Sequence, residues 1–221
     1  MAQPAIPLSD SSMLREAMVA SQVRGRGVRD PRVLDAMRQI PREAFVPEGM
    51  EEFAYEDSPL PIAEGQTISQ PFIVALMIEA AAVKLGDKVL DVGTGSGYAA
   101  AVLAELAREV YTIEIVAPLA EQARRDLERL GYANVWVKQG DGYRGWPEHA
   151  PFDAIVVTAA PDHVPEPLLA QLAQGGRLVL PLGGSAAQEL VLITRSAAGF
   201  TREQLLPVRF VPMTGEAQGS D

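Results

Sequence analysis

The stretch DVGTGSGYAA, residues 91–100, follows the apolar run KVLDV without a break. Glycine in mid-chain costs conformational entropy, so three at alternate positions (Gly93, Gly95, Gly97) signal a turn where backbone must approach a ligand closely. The dinucleotide fingerprint G-x-G-x-x-G fits only in part, because the third glycine comes one residue early and Tyr98 stands where the last belongs. That last glycine lets a helix pack tightly around a pyrophosphate, so its absence argues for a ligand without one. No Lys-Ser or Lys-Thr pair follows the loop, which excludes a triphosphate site.

Outward from the loop, the pattern alternates. Residues 71–84 predict a helix with Ile73, Leu76, Met77 and Ala80 on one face, residues 87–92 a short buried strand, and residues 98–108 a helix. Strands are then expected at 109–115, 134–140, 152–160 and 177–183, with helices at 117–130 and 165–173. QELVLITRS and LPVRFVPM read as two antiparallel closing strands. Such alternation requires right-handed crossovers and a largely parallel, doubly wound α/β sheet, with its ligand outside the carboxyl ends of the strands. Residues 1–70 differ: a helix is expected at 9–24 with Leu14, Ala17, Met18 and Ser21 in register, a second from Pro31, then a long Pro- and Gly-rich stretch. With no repeat or linker in the chain, residues 1–70 read as an elaboration contributing to the substrate site, and 71–221 as the core of one compact domain.

Acids fall at three successive strand ends. Glu114, 21 residues past Gly93, is placed to accept hydrogen bonds from both hydroxyls of a ribose. Asp141, in QGDG, is placed for adenine or its amine, and Asp91 for a cationic amino group. The plain alternative makes Glu114 and Asp141 loop caps and Asp91 a loop-organising acceptor. Together, around a glycine loop lacking a pyrophosphate site, the three acids favour S-adenosylmethionine.

Composition bounds the rest. The 221 residues carry a formal charge of -10, which argues against a nucleic-acid surface, and no cysteine, which excludes disulfides and thiolate chemistry and fits a cytoplasmic protein. Seven arginines lie between residues 15 and 42, either as a patch steering an anionic substrate or as the solvated faces of helices. No secretory signal is expected in MAQPAIPLSD, and no apolar run is long enough to span a membrane. His149 and His163 read as surface loop residues, and no metal site is expected.

Residues 65–71, GQTISQP, precede the helix at 71. Thr67 or Ser69 is a candidate N-cap and Pro71 a first-turn residue, but a helix start flanked by two hydroxyls also makes a carboxylate site. Tyr55 and Asp57 suit either an open groove or ordinary packing. From about residue 11 to 215 the sequence resembles the protein-L-isoaspartate (D-aspartate) O-methyltransferase family, carried by MVASQVRGRGVRDPRVLDAMRQIPREAFVP, AYEDSPLPI, EGQTISQP, VLDVGTGSGYAAAVLA, PFDAIVVTAA, GGRLVLPLG and VRFVPMTG.

The resemblance implies a Rossmann-like methyltransferase sheet of about seven mostly parallel strands, the last of them in unusual order. It implies methyl transfer from S-adenosylmethionine to the free α-carboxylate of L-isoaspartyl residues in damaged proteins and peptides, leaving S-adenosylhomocysteine and starting repair through a succinimide. D-aspartyl residues are a further implied substrate, and the enzyme is expected to be a cytoplasmic monomer. Asp91, Gly93, Gly95, Glu114, Asp141 and Gly142 are then cofactor contacts. Thr67, Ile68 and Ser69 grip the carboxylate, Ser69 nearest the reaction, and Val211 is a backbone contact to the peptide. Family members commonly carry histidine where Phe72 stands, arginine where Ile115 stands and glycine at Ala63. Phe72 is expected to alter the pocket wall and Ile115 the adenosine rim. Because the acceptor is already ionised at neutral pH, no strong general base is required, and alignment with partial desolvation carries the reaction. A small-molecule carboxyl methyltransferase, an NAD-linked oxidoreductase and a non-catalytic binding module are the competing readings.

Overall fold

The computed structural model describes residues 8–218, so the reading of the first seven residues lies outside it. Helix α1 (Leu8–Ala17) continues through a π-helical turn at Met18–Val23 and a 3-10 turn at Arg24–Arg26, ending at Gly27 with φ of 115°. Its buried residues include Met18, Val19 and Val23, whereas Leu14, Ala17 and Ser21 are exposed. Leu14 and Ala17 face solvent in the regular part of α1, and past them the wider turn breaks the 3.6-residue period and puts Met18, Val19 and Val23 inside. Helix α2 (Pro31–Gln39) starts as its residues dictate: Asp30 accepts the Arg32 N–H at 2.9 Å and Pro31 takes the first position.

The irregular stretch that follows contains 3-10 turns at Arg42–Phe45 and Glu51–Phe53 and a small antiparallel hairpin, β1 (Leu60–Pro61) with β2 (Thr67–Ile68). Helix α3 (Pro71–Ala81) begins directly after it. Phe72, Val74, Ala75, Met77, Ile78 and Ala81 are buried, while Ile73, Leu76 and Ala80 are only half-buried. The expected face of α3 is thus its less covered side, because the N-terminal helices and the sheet enclose the helix from both directions.

The core then alternates as β3 (Lys88–Val92), α4 (Tyr98–Ala104), β4 (Glu109–Glu114), α5 (Ala117–Arg129), β5 (Val135–Gln139), β6 (Phe152–Val157), α6 (Glu166–Gln171), β7 (Leu172–Leu182), β8 (Gln188–Ser196) and β9 (Gly199–Val208). These strands form a seven-stranded sheet in the order β5-β4-β3-β6-β7-β8-β9. The first five are parallel, and β8 and β9 close it antiparallel in chain order. Period-two alternation sorts the strand residues between two layers. Val89, Val110, Ala154, Val156 and Val179 face α1 to α4, whereas Leu90, Ile113, Ile155, Val157 and Leu178 face α6 and the C-terminal turns. The strand order reverses at β3, between β4 and β6, and that switch point opens the crevice in which α/β sheets bind ligands.

The last strand differs from the reading of LPVRFVPM. A tight turn at Ala197–Ala198 sends the chain straight back, so β9 starts at Gly199 and its first half is the exposed edge sequence FTREQ. Arg209–Met213 leave the sheet and cross to the chain just after β6, where the Ala160 N–H donates to the Val211 carbonyl and the Met213 N–H to the Ala160 carbonyl, both at 2.8 Å.

Candidate active site

Strand β3 delivers the glycine loop to the switch point. Gly93 has φ of 98°, and a Cβ there would sit 2.5 Å from the Thr158 hydroxyl at the end of β6. Gly95 has φ of 52° and donates its N–H to Glu114 Oε2 at 2.8 Å. Glu114 Oε1 accepts the Val116 N–H at 3.0 Å, so one carboxylate holds the glycine loop against the start of α5. Each oxygen retains a further lone pair, and Glu114 lines the cleft above. Gly142 lines it too; a Cβ there would lie 2.4 Å from Val92 Cγ1, so only glycine fits this wall.

Asp91 lies beneath the loop, fully buried and off the cleft surface. Thr112 donates to its Oδ2 at 2.7 Å, and Oδ1 has no partner among the described residues. Burial pushes its carboxyl up to about 7, against the Thr112 hydrogen bond, with Glu114 adding to the rise.

Asp141 is also off the cleft surface. Its Oδ1 accepts the Tyr143 N–H and its Oδ2 the Glu216 N–H, both at 2.9 Å. Gly215 presses so closely that a Cβ would lie 2.4 Å from Oδ2. Asp141 therefore moors the returning C-terminal segment, whose residues Val211–Thr214 border the cleft. Arg144 adds an ion pair to Glu216, its Nε 2.8 Å from Oε1.

Two clefts meet here. The first, with roughly 890 Å³ of empty space, holds Gly93, Gly95, Glu114, Gly142 and Ile115 and reaches Thr67, Ile68 and Ser69. The second, with roughly 1060 Å³, is bordered by Arg26, Gln70, Ile73 and the Leu206–Val211 exit of β9. Thr67, Ser69, Thr158 and Val211 belong to both. Neither Thr67 nor Ser69 caps α3: Gln70 occupies the cap position without a side-chain cap, and its Nε2 binds Asp57 instead.

Phe72 borders neither cleft, contrary to the expected change of pocket wall; it is buried with the Arg26 guanidinium 3.8 Å above its ring. Arg26 also pairs with Asp57 at 2.9 Å, so Phe72 acts on the second cleft only through that arginine. Ile115 does border the first cleft. Ala63 lies in the hairpin turn, where the positive φ values belong to its neighbours Glu64 and Gly65. Tyr55 is buried and hydrogen-bonds Glu43, which settles it as packing rather than groove surface. His149 stacks half-buried on Tyr111, 4.1 Å between centroids, so only His163 is an exposed loop residue.

Sequence reasoning missed Arg42. It is fully buried, its Nε donating to the Ala54 carbonyl and its Nη2 to the Ser69 carbonyl, both at 2.8 Å. Burial lowers its pKa, and the Tyr98 hydroxyl beside it works in the opposite direction. Nothing in the spacing of IPRE distinguishes it from the exposed arginines nearby; only the proline- and glycine-bound chain folding back over it does.

The donor set suits S-adenosylmethionine. The glycine cradle admits a flat nucleoside, Glu114 has lone pairs to spare for ribose hydroxyls, and the cleft has no cationic side chain to repel a sulfonium. Among the described residues no cluster of His, Asp or Glu is arranged to hold a metal, and no helix is long and apolar enough to cross a membrane.

Known proteins agree with this geometry. A Plasmodium falciparum structure named as a protein-L-isoaspartate O-methyltransferase, solved with S-adenosyl-L-homocysteine, superposes with a TM-score of 0.79 at 27% identity over 90% of this chain and 98% of that one. Another structure of that enzyme name reaches 0.84 at 34% identity, over 92% and 67%. Protein-L-isoaspartate O-methyltransferase 1 of Rhodopseudomonas palustris is 58% identical over 216 residues, 95% of this chain and 88% of its own. The Gloeobacter violaceus protein-L-isoaspartate O-methyltransferase is 58% identical over 200 residues, 90% and 98% respectively. Residues 13–218 match the family model described as Protein-L-isoaspartate(D-aspartate) O-methyltransferase. With the glycine cradle, Glu114 and the hydroxyl-bearing loop in one crevice, and with these matches, this chain belongs to the protein-L-isoaspartate (D-aspartate) O-methyltransferase family.

Proposed function

We propose that this chain is an S-adenosylmethionine-dependent enzyme that methylates the α-carboxylate of L-isoaspartyl residues in damaged proteins and peptides. The observation that carries the reading is the shared wall: the cleft at the glycine loop and the cleft at the exit of β9 meet at Thr67, Ser69, Thr158 and Val211. S-adenosylmethionine, when bound, supplies an electrophilic methyl on a sulfonium and leaves as S-adenosylhomocysteine. Glu114 binds the ribose hydroxyls while keeping the Gly95 loop in place, with Gly93 and Gly142 forming the close walls. Ser69 and the backbone around Thr67 and Ile68 orient the acceptor carboxylate at the junction, and Val211 borders the peptide beside it. Ser69 is a donor rather than a base, because the carboxylate is already ionised. A methyl ester of this carboxylate is activated toward the following backbone nitrogen, which expels methanol and closes a succinimide.

A second cleft that runs along the Leu206–Val211 backbone and past Arg26 and Gln70 favours a peptide over a small carboxylic acid, which would need an apolar pocket of its own. Residues 1–70 belong to the substrate side in this reading, supported by Arg26 on the groove and Arg42 behind Ser69. The lack of cysteine supports a reducing compartment such as the cytoplasm. Asp91 and Asp141 serve the cofactor site from behind, as supports of the loop and of the returning segment. The test is transfer of labelled methyl to matched peptides containing isoaspartate or aspartate. Base-labile label on the isoaspartyl peptide alone supports the reading; binding of cofactor with transfer to neither peptide overturns it.

A further inference from the structure

The chain keeps a guanidinium fully out of water at a point where no carboxylate accepts it. Arg42 makes its two hydrogen bonds to backbone carbonyls, Ala54 and Ser69, and its Nη1 has no partner among the described residues. Taking a cation from water is expensive, and neutral acceptors offset only part of that cost. An apolar side chain would avoid that cost but leave both carbonyls without a donor, so the site calls for a donor, here one whose guanidinium carbon lies 4.6 Å from the Tyr98 ring. The position of the two carbonyls supplies the reason for an arginine. They bracket the segment that carries the hairpin and the hydroxyl loop, and a rigid planar fork holds both ends at once.

The consequence follows from peptide geometry. In a planar trans peptide the carbonyl and the next N–H point in opposite directions. With the Ser69 carbonyl drawn inward to Arg42, the Gln70 N–H is turned away from it, and Ser69 and Gln70 both border the second cleft. The pinned carbonyl also fixes the Ser69 backbone from which its hydroxyl projects.

We propose that Arg42 is a positioning residue for the acceptor carboxylate: it sets the peptide plane after Ser69 and thereby aims the Ser69 hydroxyl and the Gln70 N–H as its donors. This rests on the isoaspartyl methyltransferase reading above, and the experiment separates the two. Wild-type enzyme is assayed first on the isoaspartyl and aspartyl peptides; failure to methylate the former ends the functional reading itself. Arg42→Met and the milder Arg42→Lys are then compared for peptide KM and kcat, for S-adenosylhomocysteine Kd by calorimetry, and in a Ser69→Ala background. A loop displaced by a fraction of an ångström predicts a loss of about 10- to 100-fold in kcat/KM for Arg42→Met, with S-adenosylhomocysteine Kd held within about twofold. Arg42→Lys recovers part of that loss. Because Arg42 acts through the Ser69 segment, the Arg42→Lys loss shrinks by about threefold or more when Ser69 is already alanine. Strictly multiplicative losses, parallel rises in cofactor Kd and peptide KM, no loss at all, or an Arg42→Lys chain that fails to fold each overturn the proposal.

Discussion

At the scale of single residues, the two carboxylates nearest the glycine loop do different work. Glu114 bridges two backbone amides and faces the cleft, whereas Asp91 is sealed below it. Glu114→Ala removes both the loop anchor and the ribose acceptor. We expect S-adenosylhomocysteine Kd to rise by about 100-fold or more, at ~1.5–3 kcal/mol per hydrogen bond to a charged group. Ser69→Ala should leave that Kd unchanged and lower kcat by about 10- to 100-fold, since it removes one aligned donor from the carboxylate. Calorimetry beside steady-state assays distinguishes the two.

Asp91 predicts a pH effect with a definite sign. Its carboxyl titrates near 3.8 in the unfolded chain and is pushed up to about 7 by burial. Between those values the folded state holds the proton and the unfolded state does not, so this group's stabilisation is full below the lower value and is lost as pH rises through the upper. Ligand-free Asp91→Asn should lack that slope. Its melting temperature relative to wild type is therefore expected to increase from pH 5 to pH 8, by circular dichroism; a constant difference would show that Asp91 is ionised throughout.

At the scale of elements, the segment after β9 is held by one short backbone bridge to Ala160 and, beyond it, by the Asp141 side chain. Asp141→Ala frees the Tyr143 and Glu216 amides, at an expected cost of ~1–3 kcal/mol in urea denaturation. The Glu216 amide should exchange hydrogen faster. Since Val211–Thr214 border the first cleft and Val211 the second, peptide KM and S-adenosylhomocysteine Kd should worsen together. A rise in Kd alone would instead mark Asp141 as a direct cofactor contact.

The same element shows where the sequence was readable. Strands β3, β4 and β6 announce themselves as short apolar runs followed by turn or helix signals, and Gly93 needs no partner to be recognised. Asp141 is different: its partner Glu216 lies 75 residues on, and no local spacing encodes that meeting. Arg42 and Ser69 are 27 residues apart, joined across an irregular stretch without period. Strand β9 was misplaced because FTREQ, an exposed edge, lacks the apolar alternation that betrays a strand, while the apolar LPVRFVPM spends half its length crossing the clefts.

At the scale of the whole molecule, ligand occupancy is tied to the stability of every layer. The first cleft draws on β3, β4, β6, the β2 hairpin and the segment after β9, so its occupant bridges elements from both apolar layers. S-adenosylhomocysteine at 100 times its Kd should stabilise the fold by ~2.7 kcal/mol and raise the melting temperature by roughly 5–10 °C for a domain of this size. A rise seen by backbone probes in the sheet but not in the N-terminal helices would show that the two melt separately.

The passage of Val211–Glu216 back across the crevice also orders events during synthesis. All seven strands have left the ribosome before these residues do, so a sheet competent to fold precedes any completed binding wall. A chain clipped after β9 has a nucleotide-binding frame without the mooring at Asp141. Catalytic competence thus waits on a segment made after the whole sheet, because the closing wall follows every strand in chain order.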